Sequence, residues 1–289
     1  MLSKELYKSD YESDWCPGCG DFGILQALIQ SLSELEISPW KTVIFSGIGC
    51  SGKTPHYINS YGIHTLHGRP LPFAIGAKMA NPSLNVIAIS GDGDAYGIGI
   101  GHFVNAGRRN PDITYIVYNN GVYGLTKGQA SPTLRRNLQP KSLKYPNINN
   151  SINPIAIAVS AGYTFVARSF AYNVKHLKDT IKKAILHKGI AFIDVLQPCP
   201  TFNTVDTKES YMQRIKILPE DHNKKDAVEA MKYALDVDNL WIGIFYQVED
   251  QTYEQRYSQI LGQYPKNCPA NIDMSVITDV SDSLKDFSS

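Results

Sequence analysis

Five short apolar runs separated by helical stretches constrain this 289-residue chain more than any other feature. They cover residues 42–45, 86–89, 113–118, 163–167 and 191–196. Each is close to continuously apolar, so each reads as a strand buried on both faces. Asp21 can cap a helix, and Ile24, Leu25, Leu28, Ile29 and Leu32 follow at helical spacing, predicting a helix over about 22–35. Further helices are expected over 71–79, 95–109, 154–161 and 174–187; Asn81-Pro82 and Asn110-Pro111 stop the first two. Strand and helix in alternation predict an α/β fold: a doubly wound, mostly parallel sheet covered on both faces. Residues 55–69 and 128–152 read as loops. After about residue 205 the pattern weakens to one helix near 225–235 and one strand near 240–246, and the last forty residues read as a polar tail or arm. The expected division is a main domain over 1–204 and a C-terminal extension over 205–289.

Composition excludes several functions. Hydrophobic residues make up 43% and charged residues 19%, enough for a packed core. A net charge of +1 argues against a nucleic-acid face or a polybasic membrane anchor. No apolar stretch is long enough to span a bilayer. The mixed-charge start MLSKELYKSDYESDW is not a signal peptide, so a cytoplasmic location is expected. Five cysteines, an odd number, argue against a disulfide scaffold and for metal or redox chemistry.

Ligands of open parallel sheets bind beyond the carboxyl ends of the strands. Unusual clusters follow four of the five predicted strands here: GIGCSGKT, GDGD, NNGVYGLT and QPCPT. The first fits a phosphate-loop pattern from Gly47 to Thr54, which opens a triphosphatase reading. A working phosphate loop needs a sustained helix after its lysine, and Pro55 followed by HYINSYGIHTLHGRP offers none. Cys16-Pro17-Gly18-Cys19 lacks the preceding strand of a thioredoxin-like redox pair. With Cys50 and Cys199, each placed after a strand, it makes four cysteines that can share one rim. That favours a metal centre over four separate buried thiols, and leaves both zinc and iron–sulfur open. Gly91-Asp92-Gly93-Asp94 follows a buried strand, and Asn119-Asn120 closes the next. A carboxylate and an amide oxygen at neighbouring strand ends can hold Mg²⁺, and through it a diphosphate. Two histidines, His64 and His67, lie in the loop between; no third ligand accompanies them as a metal pair.

GDG followed after roughly thirty residues by NN resembles the signature of thiamine diphosphate enzymes. More narrowly, WCPGCGDFGIL, GIGCSGKT, HTLHGRPLPFAIGAKMANP, ISGDGDAYGIGIGHF, NNGVYGLTKGQASPT and FIDVLQPCPTFN resemble the β subunit of 2-oxoacid:ferredoxin oxidoreductases, over roughly residues 14–205. The resemblance implies a 4Fe–4S cluster on Cys16, Cys19, Cys50 and Cys199, and Mg²⁺ on Asp92, Asn120 and the Val122 carbonyl. It implies that thiamine diphosphate lies along Ile48, Gly49, Cys50, Ser51, Gly93, Asp94, Gly124 and Leu125, with His64 or His67 near by. It further implies oxidative decarboxylation of a 2-oxo acid with coenzyme A, and electrons passed to ferredoxin. Lys53, Arg69 and Lys127 lie in the motif loops and are candidates to face an anionic substrate or coenzyme A. No glutamate occurs between Glu36 and Glu209, so the activating glutamate is expected from an α subunit and the chain alone is expected to be inactive.

Overall fold

The computed structural model describes residues 2–271. The elements follow in the order α1 (Asp21–Glu34), β1 (Thr42–Ser46), β2 (Tyr61–His64), α2 (Pro70–Ala80), β3 (Asn85–Gly91), a π-helical stretch (Gly93–Ile98), α3 (Ile100–Arg109) and β4 (Thr114–Asn119). A small hairpin of β5 (Val122–Tyr123) and β6 (Gln129–Ala130) comes next, then α4 (Pro154–Ser160), β7 (Phe165–Phe170), α5 (Val174–Leu186) and β8 (Ala191–Leu196). The chain continues with α6 (Lys208–Arg214), β9 (Ile215–Ile217), α7 (Ala227–Ala234), β10 (Leu240–Gln247) and α8 (Tyr253–Ile260). Among the described residues, no helix is long and apolar enough to cross a membrane.

Eight strands form one sheet in the order β2-β1-β3-β4-β8-β7-β10-β9. All neighbours run parallel except β10 against β7. The five expected strands are its centre, and the two-faced burial follows from period two. Along β4, Tyr115 and Val117 enter the core beneath α2, α3 and α4, while Ile116 and Tyr118 enter the core beneath α1 and α5. Phe103, Tyr163 and Phe192 centre the first core with close ring contacts.

The structure departs from the sequence reading in four places. Residues 61–64, expected in a loop, form the edge strand β2, which pairs with β1 alone and is exposed along its length. The strand expected from residue 163 begins at Phe165, because Gly162 at φ +86° and Tyr163 close the end of α4 by bonding back to it. The stretch after residue 205 adds β9 and β10 to the main sheet through β7. Part of the expected tail is also packed: α8 follows a chain tied to α3 through Tyr253 N–H donating to Asn110 O, and Cys268 beyond it is a small buried residue.

Candidate active site

The chain passes from β1 to β2 on one side and from β2 back across β1 to β3 on the other, so the direction of winding reverses between β1 and β3. A cleft opens there, beyond the carboxyl ends of the strands. It is lined by Ile48, Gly49, Cys50 and Ser51 after β1, by Gly91 to Asp94 after β3, by Asn120 and Val122 to Thr126 after β4, and by His67 and Gln197. The motif loops of the sequence meet at this one place.

Asp92 is buried at the floor. Its Oδ2 accepts from Gly121 N–H at 2.9 Å and from the Ser131 hydroxyl, and lies against the Thr133 hydroxyl. Burial pushes its carboxyl above the usual range despite these donors. Asn120 is oriented through both ends of its amide: Oδ1 accepts from Val122 N–H at 3.0 Å and Nδ2 donates to Gln197 Oε1 at 3.0 Å. The ring of Tyr123 lies across the GDG turn, its hydroxyl donating to Gly93 O at 3.2 Å. A Cβ at residue 93 would stand 2.3 Å from that ring, so Gly93 is dictated by Tyr123. Ser51 Oγ is buried in the wall without a hydrogen-bond partner among the described residues.

Asp94 lines the cleft, but its carboxylate is committed to the loops around it. Oδ1 accepts from Ile48 N–H at 3.0 Å, from Gly68 N–H at 2.7 Å and faces His67 Nδ1 at 2.7 Å; Oδ2 accepts from the Ser90 hydroxyl at 2.6 Å. His67 thereby holds its ring on the cleft wall. His64 lies elsewhere: Nδ1 stands 2.8 Å from Gly52 O and 3.1 Å from Ser46 Oγ, bracing the turn after β1. Lys53 is also outside the cleft lining, its Nζ paired with Asp14 Oδ2 at 2.7 Å, and this pairing raises its pKa. Lys127 sits at φ +78° in the turn after Leu125, exposed at the rim, and Arg69 precedes α2; neither lines the cleft. The triphosphatase pattern lacks its helix. Residues Ser51–His56 make a 3₁₀ turn that leads into β2.

The four motif cysteines lie together beside the cleft. The Cys50 thiol feels Cys199 and Cys16, and Cys19 feels Cys199 and Cys50. Burial pushes Cys50 up to about 11 and raises Cys19 and Cys199 too. Backbone N–H groups of Phe202, Thr201 and Asn203 face the Cys199 sulfur and favour its thiolate. No three His, Cys, Asp or Glu side chains among the described residues are close enough to hold a single metal ion. Cys50 belongs to both neighbourhoods: it lines the cleft, and a Cβ on Gly124 would come within 3.4 Å of its sulfur. Gln197, Tyr123, Ser131 and Thr133 escape the sequence reading. All four lie inside the motif stretches NNGVYGLTKGQASPT and FIDVLQPCPTFN, without being singled out within them.

Residues 47–195 match the thiamine pyrophosphate enzyme C-terminal TPP binding domain, and residues 199–261 match the C-terminal part of the pyruvate ferredoxin oxidoreductase beta subunit. The 2-oxoacid:ferredoxin oxidoreductase subunit beta of Saccharolobus solfataricus is 57% identical, over 95% of this chain and 96% of its own length. The chain belongs to the β-subunit family of 2-oxoacid:ferredoxin oxidoreductases. Subunit beta of an Aeropyrum pernix member is 51% identical over 88% of this chain and 84% of its own. The fold is that of the 2-oxoglutarate:ferredoxin oxidoreductase from Magnetococcus marinus, solved with 2-oxoglutarate, coenzyme A and succinyl-CoA bound: TM-score 0.88 and 39% identity over 92% of this chain and 94% of that one. The family resemblance read from the motifs is thus borne out, as is the parallel-sheet fold.

Proposed function

We propose that this chain carries the cofactor and cluster of an enzyme that oxidatively decarboxylates a 2-oxo acid with coenzyme A, giving acyl-CoA and CO₂ and passing electrons to ferredoxin. The observation that carries the proposal is the position of Cys50. It is one wall of the Asp92–Asn120 cleft and one of four neighbouring thiols. A thiol set of this kind suits iron–sulfur or zinc. Between the two, the resemblance of the motif segments to the oxidoreductase β subunits favours a 4Fe–4S cluster on Cys16, Cys19, Cys50 and Cys199.

The cleft fits a diphosphate held through a cation. Asp92, the Asn120 amide oxygen and the Val122 carbonyl are the proposed Mg²⁺ ligands. Ser51 Oγ, buried without a hydrogen-bond partner among the described residues, is a ready donor to the cofactor. Ile48, Gly49, Gly93, Gly124 and Leu125 supply the close wall, with His67 beside them. Thiamine diphosphate, when bound, supplies the carbanion-stabilising chemistry that lets a 2-oxo acid release CO₂. Asp94 acts by fixing His67 and the Ile48 loop rather than by touching ligand. Lys127, exposed at the rim, is the better candidate for an anionic group of substrate or coenzyme A; Lys53 would first have to leave Asp14.

A cleft of about 250 Å³ is small for a cofactor site, and no glutamate lines it. Both features support a site completed by an α subunit that supplies the activating carboxylate, and a chain inactive alone. Reduced thiols suit the cytoplasm. The test is anaerobic co-purification with the α subunit, followed by a panel of 2-oxo acids with coenzyme A and ferredoxin. Brown protein with about four irons per chain and turnover only in the assembled complex are expected. Colourless protein holding one zinc, or turnover by the isolated chain, would overturn the proposal.

A further inference from the structure

Gln197 is buried, 1% exposed, one residue beyond β8. Its N–H donates to Asn119 O at 2.8 Å, continuing the β4–β8 ladder and fixing where the side chain starts. Its amide then reaches in two directions. Nε2 donates to Cys19 Sγ at 3.3 Å and to Pro198 O at 2.9 Å, and Oε1 accepts from Asn120 Nδ2 at 3.0 Å. Gly20 makes room for this path, since a Cβ there would stand 2.9 Å from Gln197 Cγ.

We propose that Gln197 is a positioning residue that couples the cluster ligand Cys19 to the cation ligand Asn120. The inference rests on the ligand assignments of the preceding section. Asn120 Nδ2 can only donate, and a metal-bound thiolate can only accept. A neutral amide serves both at once, whereas a carboxylate serves the first alone and an alkyl chain neither. By taking Nδ2, Gln197 fixes the amide so that Oδ1 points the other way, toward the Val122 N–H and the cleft. By donating to sulfur, it stabilises negative charge on the ligand and so favours the reduced cluster.

The test compares the assembled α–β complex of the wild type with Gln197→Leu and Gln197→Glu. Two quantities are read: the cluster midpoint potential by EPR-monitored redox titration, and the dissociation constant of Mg²⁺·thiamine diphosphate by calorimetry. Gln197→Leu removes both arms, so the potential moves to a more negative value and the dissociation constant rises about tenfold, as for loss of other outer-shell partners of metal ligands. Gln197→Glu keeps the acceptor for Asn120 and loses the donor to sulfur. Its potential moves in the same direction while cofactor affinity stays near that of the wild type. Wild-type potential and affinity in Gln197→Leu would overturn the inference, as would equal loss of affinity in Gln197→Leu and Gln197→Glu. Iron-free wild-type complex would instead refute the cluster assignment, and the donor arm with it.

Discussion

Asp94→Ala tests whether the second aspartate of GDGD serves the ligand or the loops. Its carboxylate is buried and accepts from Ile48 N–H, Gly68 N–H and the Ser90 hydroxyl, with His67 Nδ1 beside it. Truncation leaves these donors facing a void. Gly68 N–H and the Ser90 hydroxyl are fully buried, the Ile48 and His67 groups partly so. A buried donor left without a partner costs about 1–3 kcal/mol, and the Ser90 hydroxyl can turn away at the lower end. The sum is about 3–5 kcal/mol, a large share of the ~5–15 kcal/mol that holds a domain folded. At roughly 2–4 °C per kcal/mol for a chain of this size, the melting midpoint falls by about 10 °C. The decisive measurement is thermal or urea unfolding without thiamine diphosphate or Mg²⁺. Were Asp94 only a ligand contact, the cofactor-free protein would melt as the wild type does, and a midpoint within about 2 °C would refute this assignment. Gly47→Ala should copy the defect, because its Cβ would stand 1.8 Å from Asp94 Oδ2.

Asp92→Ala should keep full iron content and lose cofactor binding, read by metal analysis and calorimetry on one preparation, beyond the stability lost by stranding the Gly121 and Ser131 donors. Cys50→Ala should lose the iron–sulfur absorption while Mg²⁺ and thiamine diphosphate still bind, and an intact spectrum would refute the ligand assignment. Arg168→Ala removes the cation of the buried pair with Asp194, Nε to Oδ2 at 2.8 Å; the carboxylate keeps only the neutral donors Asn119 Nδ2 and the Tyr96 hydroxyl on Oδ1, and the loss should cost about 3–5 kcal/mol in urea unfolding. Burial holds the His187 imidazole below its usual pKa, with Nε2 2.8 Å from Thr164 Oγ1. A depressed folded pKa makes a contribution that is complete above the unfolded value of about 6.5 and is lost as pH falls toward the folded value. Unfolding midpoints should therefore drop from pH 7.5 to 5.5, and drop less in His187→Gln.

The inner strands were readable because each is buried on two faces, which writes a continuous apolar run into the sequence. β2 has no such record: it pairs on one side only, buries neither face and contains Gly62. β9 is three residues long and borrows its place from β10. The site divides similarly. Cys50, Asp92 and Asn120 were readable because each follows a strand and topology brings strand ends together. The commitments of Asp94, His64 and Lys53 were not, because a side chain's partner lies far away in sequence: 46 residues separate Ile48 from Asp94, and 39 separate Asp14 from Lys53.

The phosphate-loop match shows how a pattern can locate a site and misname its ligand. Its glycines are used differently here. Gly52 allows the turn to fold back on Gly47, whose carbonyl would stand 2.3 Å from a Cβ at residue 52. Thr54, whose hydroxyl would meet Mg²⁺ in a phosphate loop, is fully buried, donating to Ser51 O at 2.8 Å and lying 3.0 Å from the Tyr118 hydroxyl. The lysine faces outward to Asp14. With hydroxyl and lysine both turned from the cleft, Lys53→Ala removes a part-exposed ion pair worth at most about 1 kcal/mol. It should leave no nucleotide triphosphate binding to lose; measurable ATP affinity in the wild type that vanishes in Lys53→Ala would show that the loop rearranges and that the pattern had named its ligand after all.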